Sequence, residues 1–151
     1  MKSYIGVKVV EAVDMTLGEY NKLKGWVIPI DEDPERLGYL VCYPDGYKSW
    51  SPKEQFESAN FEMGDDSSTV SVDMVKRFRG KIYGDKIDEK TAHFYVKSAS
   101  GFVVHELSSC VDPKNFSMDV GLECCESKID DVFWKCLGFV LQWGRFGLNR
   151  R

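Results

Sequence analysis

Four bases fall within six residues at Lys76-Arg-Phe-Arg-Gly-Lys81, with Phe78 between them. Guanidinium forks and ammonium groups beside an aromatic ring are suited to holding a phosphate and stacking a planar group. Tyr83 and Phe102 offer further aromatic surface and Asn115 a side-chain amide. Lys76, Arg77, Phe78, Arg79, Lys81, Tyr83, Phe102 and Asn115 therefore form one candidate set for an anionic ligand. Lys86, Arg145, Arg150 and Arg151 extend it if the chain's end folds back. The plainer alternative is that these bases balance nearby acids and keep a helix face in water.

A second candidate set is acidic. Asp31, Glu32, Asp33 and Glu35 form the one dense acidic run, and its spacing lacks the central glycine and terminal bidentate acid of a calcium loop. It reads as a solvated loop which, with Trp26, offers a docking face to a basic protein partner.

Other chemistry is thinly supplied. His93 and His105 can meet across neighbouring strands, but two histidines without a third ligand at a recognisable spacing do not make a metal site. Cys110 near His105 lacks an orienting acid and an oxyanion feature, so neither a catalytic residue nor a metal is assigned. Phosphate loops of the G-x-x-x-x-G-K type are absent, which argues against a nucleotide hydrolase, and no cofactor motif appears. The five cysteines, Cys42, Cys110, Cys124, Cys125 and Cys136, have no C-x-x-C spacing and read as free thiols in a reducing compartment.

The elements that must position these groups follow from turn and cap signals. Tyr4 to Ala12 reads as a strand. Thr16-x-x-Glu19 is a capping box that opens a helix over 17–24, and Gly25 closes it in the left-handed conformation. A strand over 38–43 leads to the Asp45-Gly46 hairpin turn, followed by a strand carrying Tyr47 and Trp50. Ser51 as cap, Pro52 at the first helical position and Glu54 three residues after the cap predict a second short helix.

The polar stretch 62–69 is the best boundary. It separates a module over 1–61 from one over 70–143, with a basic tail over 144–151. Val70, Met74, Val75 and Phe78 recur at helical spacing, so a helix is expected there, with a strand over 72–83 as the alternative. Residues 93–97 and 101–107 form a hairpin about Ser98-Ala-Ser100, and Asp112-Pro113 starts a short helical turn. Met118, Leu122, Cys125, Ile129, Val132, Phe133 and Cys136 make one apolar stripe on a longer helix that should lie against the hairpin. Gly138 is read as its stop, with 139–143 returning as a strand.

The fold class expected is thus α+β. A three-stranded antiparallel unit with two short helices precedes a β-hairpin packed by one longer helix. With 151 residues, 43% of them hydrophobic, there is material for one ordinary core or two very small ones. Residues 1–62 hold 11 acids and 7 bases, leaving 13 of each sign in the rest, and the net charge of -4 argues against a general nucleic-acid binder. No apolar run approaches the roughly 18 residues that span a bilayer, so a soluble, intracellular protein with no membrane role is expected. Modules this small gain from self-association, so a homo-oligomer is expected too.

Both modules carry a resemblance. Gly25-Trp26, Pro29, the acidic loop, Gly38-Tyr-Leu-Val41 and the Asp45-Gly-Tyr…Ser-Trp-Ser-Pro…Phe56 string resemble an N-terminal module attached to small tailed-phage proteins. Gly101-Phe-Val-Val, Ser109-Cys110, Asp112-Pro-x-Asn-Phe116, Gly121, Trp134 and Gly138-Phe139 resemble the small phage family named for gene product forty-nine, over about 90–141. Relatives often carry bases on the helix after the glycine, whereas this chain has Leu122, Glu123 and Glu126, which puts an anion site on that face in doubt. The resemblance implies bacteriophage origin and a role in host takeover or defence evasion in the host cytoplasm, without a catalytic residue. Two readings follow. One is a non-enzymatic accessory protein that sequesters an anionic, nucleotide-derived signal. The other is an interaction module that inhibits a host enzyme by surface contact.

Overall fold

A computed structural model describes residues 1–149. The chain forms two units, one of residues 1–67 with the chain from Gly144 onward, the other Ser68–Trp143. Each contains a three-stranded antiparallel sheet, in the orders β1-β2-β3 and β4-β5-β6. The protein is therefore α+β.

In the first unit, β1 (Glu11–Asp14) is followed by α1 (Leu17–Lys24). Thr16 accepts from the Glu19 N–H at 3.2 Å while Glu19 accepts from the Thr16 N–H at 2.8 Å, so the capping box is complete. Gly25, at φ 70°, closes the helix as expected. The acidic loop returns to α1, where the Gly18 N–H donates to the Pro34 carbonyl at 2.8 Å. A Cβ on residue 18 would lie 2.9 Å from that oxygen, so the close approach needs glycine. Then β2 (Gly38–Cys42) and β3 (Lys48–Pro52) pair about the Asp45-Gly46 turn, in which Gly46 has φ 85° and Asp45 accepts from the Tyr47 N–H at 3.0 Å.

Two local expectations fail here. The first strand does not run from Tyr4 to Ala12 but starts at Glu11, because its partner β2 ends at Cys42, which sits opposite Glu11. Tyr4 and Ile5 are exposed. The Ser51 capping box does not form either. Pairing of β2 with β3 continues to Gly38 opposite Pro52, so Ser51 stays in the strand and α2 (Lys53–Ala59) starts without a side-chain cap. Pro52 is tolerated because β3 is an edge strand.

One tyrosine in this unit carries a testable signature. Tyr39 Oη donates to Glu57 Oε1 at 2.7 Å, and this bond to the carboxylate pushes the phenol up to about 12. Its stabilising contribution is full below the ordinary tyrosine range, where both states are protonated, and is lost as pH rises through 12. Ultraviolet titration should show one tyrosine ionising near 12 in the native protein and rejoining the others in Glu57→Ala. A native titration without a late tyrosine would contradict the bond.

In the second unit, α3 (Val72–Arg79) is a helix as its spacing predicts, capped by Ser71, which accepts from the Met74 N–H at 3.1 Å. Gly80 follows at φ 74°, and the chain turns into β4 (Ile82–Lys86), β5 (Thr91–Lys97) and β6 (Val103–Ser109). The expected hairpin is β5 and β6, and β4 makes it a three-stranded sheet. Asp112 caps the 3-10 turn Pro113–Asn115 by accepting from the Lys114 N–H.

The last element is α4 (Met118–Phe146), which covers the sheet face bearing Ala92, Phe94 and Ser108. A Cβ at Gly121 would stand 3.3 Å from the Phe94 ring, so a small residue lets the helix sit this close. The buried stripe is Gly121, Cys125, Ile129, Phe133 and Leu137, a succession of four-residue steps. Cys136, expected in that stripe, is exposed and Leu137 takes its place. Burial pushes the Cys125 thiol up.

The helix does not stop at Gly138, and residues 139–143 are helix rather than strand. A glycine inside a helix costs about 1 kcal/mol, which the continuing burial of Leu137 and the half-buried Leu141 outweighs. Gly147, at φ 70°, takes the left-handed position that Gly138 was expected to hold. The tail is thus partly helical, through Phe146, and the Val9 N–H donates to the Gly144 carbonyl at 3.2 Å. Arg150 and Arg151 lie outside the described residues.

Candidate functional site

The anion-binding set divides once it is placed on the second unit. Arg79 is buried, its guanidinium bonded to Glu126 and Asp130 on α4 and to the Gly80 carbonyl. It holds α3 to α4, each of its three guanidinium nitrogens donating to a protein acceptor. Phe78 is half-buried with its ring 6.1 Å from Phe133, a core contact. Arg77 pairs with Asp73 at 2.6 Å along the exposed side of α3. Lys76 and Lys81 are exposed.

Lys81 enters β4 two residues before Tyr83 and its ammonium lies 5.4 Å from the Tyr83 ring centroid. Phe102 is exposed in the β5–β6 turn, at the end of the sheet where Ile82 is opposite Val96 and Val96 opposite Val104. Asn115 follows the other end of β6, after a strand roughly 20 Å long at 3.3 Å per residue. The structure thus brings Lys81 and Tyr83 together, leaves Lys76 exposed on α3, and removes Arg79 and Phe78 to the interior. Lys86 turns to Phe116, 4.4 Å from that ring centroid.

The sheet's other face adds residues the anion-binding set did not contain. Alternation along β5 sends Ala92, Phe94 and Val96 to the core and leaves His93 and Tyr95 half-buried on the opposite face. Register then aligns Tyr83 with Tyr95 and Tyr95 with His105, one residue on each strand. Tyr83 and Tyr95 stack with centroids 5.5 Å apart, Tyr95 and His105 at 5.8 Å. His93 joins the row 5.1 Å from His105, and its Nε2 shares a hydrogen bond of 2.8 Å with His105 Nδ1. Period-two alternation about the Ser98-Ala-Ser100 turn is the sequence signal that places these rings on one face.

The two histidines do meet, as their spacing suggested, and they bond to each other. Among the described residues no group of three His, Cys, Asp or Glu side chains is placed to hold a metal. Cys110 donates its thiol proton to the Asp112 carbonyl at 3.1 Å, and His105 is engaged with His93.

In the first unit Trp26 is 60% exposed, packed edge-on to Tyr20 with centroids 6.0 Å apart, and the Lys24 ammonium lies near both rings. Asp31, Glu32, Asp33 and Glu35 are exposed, and the loop is held by turns in which the Glu35 N–H donates to Asp33 Oδ1 at 2.9 Å. A shallow groove of about 490 Å³ lies between Arg36, Leu37 and the start of α2.

The second unit is therefore a small two-layer α+β domain, one sheet face closed by a long helix and the other presenting stacked rings beside a lysine. Residues 59–144 match the Phage protein (N4 Gp49/phage Sf6 gene 66) family, and the chain belongs to that family. It is a phage protein. The front-module resemblance, over about residues 4–60, lies outside the matched span but for its last two residues. No curated protein and no solved structure matches the chain. No helix among the described residues is long and apolar enough to cross a membrane.

Proposed function

We propose that this phage accessory protein acts by binding rather than by catalysis. Its role is to sequester an anionic, nucleotide-derived signal in the host cytoplasm and so counter a host defence. The observation that carries the reading is Lys81, an exposed ammonium just before β4 and beside an exposed ring, with Lys76 exposed on the preceding helix. A cation next to an aromatic surface suits a ligand that is both charged and planar. Titration calorimetry with a panel of cyclic and linear nucleotides should give heat with at least one member. Lys81→Ala should weaken that binding by about tenfold, as loss of one charge-assisted contact implies. A panel without heat overturns the reading.

A second reading rests on the exposure of Trp26, Val27 and Ile30 next to the acidic run Asp31 to Glu35. Exposed apolar side chains rimmed by acids suit contact with a basic surface of a host enzyme. A pull-down from host lysate separates the two, since only this reading requires a stoichiometric protein partner that Trp26→Ala releases. For either, we expect a homo-oligomer, because Phe139, Val140 and Phe146 are exposed on α4. A monomeric mass by light scattering at micromolar concentration overturns that expectation.

A further inference from the structure

The stacked row on the open face of β4-β5-β6 has two ends that differ in chemistry. Tyr83, Tyr95 and His105 lie on three neighbouring strands, with interplanar angles of 24° and 29° between successive rings. Rings this nearly parallel, spaced close to the distance between strands, turn their faces to one another across the sheet. The row therefore ends in two outward ring faces, Tyr83 on edge strand β4 and His105 on edge strand β6. Tyr83 is 47% exposed.

The neighbours decide which end takes a ligand. At the β6 end, His105 stands between Val103 and Leu107, both apolar and exposed. At the β4 end, the Lys81 ammonium lies over Tyr83, while Asp85 follows two residues on and sits opposite His93. Along the chain Tyr83 thus has a basic residue two positions before it and an acidic one two positions after. A ring stacked there with a negative substituent is oriented, since the substituent is drawn to Lys81 and turned from Asp85.

From this we infer that the outward face of Tyr83 is a stacking site for the base of a nucleoside phosphate, with Lys81 holding the phosphate. A planar heteroaromatic ring continues the existing row by one member, and the Lys81 side chain swings from the Tyr83 face to the phosphate oxygens. The assignment rests on the anionic-ligand reading above and narrows it to a ligand with a base and a phosphate on one arm. Base-on-aromatic stacking contributes about 1–3 kcal/mol per base, so its loss should be read as at least about a fivefold change in affinity.

The test uses the full chain and two probes: adenosine monophosphate and ribose 5-phosphate. In Tyr83→Leu, which keeps an apolar strand residue but no ring face, affinity for adenosine monophosphate should fall about tenfold. Tyr83→Phe should restore it to within about twofold, because the ring and not the hydroxyl does the stacking. Ribose 5-phosphate should bind weakly to the wild type and be unchanged in Tyr83→Leu, and lose its binding in Lys81→Ala. Equal affinity of the wild type and Tyr83→Leu for adenosine monophosphate overturns the stacking site, as does a wild type that does not bind it. If other nucleotides of the panel still bind in either case, the anionic-ligand reading survives. If no phosphate-bearing compound binds the wild type, both fall.

Discussion

Phe133→Ala is expected to lower the unfolding free energy of the second unit by about 3–5 kcal/mol, the usual range for a phenylalanine cut from a packed core. Phe133 is 1% exposed in the α4 stripe, with Ile129 one turn before it and Leu137 one turn after. Its ring also meets Phe78 of α3, so one side chain joins two helices. Removing it leaves a cavity where α3 and α4 meet, which a 29-residue helix held by Gly121 close to Phe94 has little freedom to close. For a unit of this size each kcal/mol shifts the midpoint by roughly 4–8 °C, so a fall of well over 10 °C should be visible by circular dichroism. Val120→Ala, on an exposed residue of the same helix, should change stability by no more than about 0.5 kcal/mol. A loss below about 1 kcal/mol in Phe133→Ala would show that α4 is not anchored through this ring.

The stripe that holds Phe133 was legible in the sequence because its spacing is local, and so were the Thr16-x-x-Glu19 box, the Gly25 stop, the Asp45-Gly46 turn and the Asp112 cap. Each of these signals is completed within about five residues. The failures needed a partner elsewhere in the chain. Ser51, Pro52 and Glu54 spell a helix start, yet Tyr39 and Gly38 of β2 keep Ser51 and Pro52 in the sheet. Gly138 spells a stop, yet the helix runs through it to Phe146, with Leu137 buried just before it and Leu141 half-buried just after. Strand β4, with Gly84, Asp85 and Lys86, has little apolar alternation of its own. Its place is set by β5, where the Phe94 ring occupies the space a Cβ on residue 84 would need.

The candidate site divides along the same line. Lys81 stands immediately before β4 and two residues from Tyr83, so their proximity follows from local spacing alone. The ring row needs register as well. Tyr95 opposite both Tyr83 and His105 depends on where β4 enters and on a turn of fixed length after Lys97. Arg79 was the least legible residue of the set. Its carboxylate partners come 47 and 51 residues later in the chain.

Arg79→Ala is accordingly expected to cost about 3 kcal/mol, the range for removing one member of a buried ion pair, while leaving the ligand site intact. The guanidinium side chain is 9% exposed, that of Asp130 21% and that of Glu126 42%. Loss of Arg79 leaves two carboxylates facing each other on successive turns of α4 and strips the Gly80 carbonyl of a donor. Arg79→Lys should recover only part of the loss, because an ammonium cannot span both carboxylates and the carbonyl as a planar fork does. The exposed pair Arg77–Asp73 provides the contrast, and Arg77→Ala should cost less than about 0.5 kcal/mol and vanish as an effect in 1 M salt. Chemical denaturation measures all three. Calorimetry on Arg79→Ala, held well below its midpoint, then separates structure from function. If Arg79 is a tie between α3 and α4, nucleotide affinity stays within about twofold of the wild type while Lys81→Ala lowers it by about tenfold. A folded Arg79→Ala protein that has lost nucleotide binding would instead place the guanidinium in the ligand site and overturn its assignment to the core.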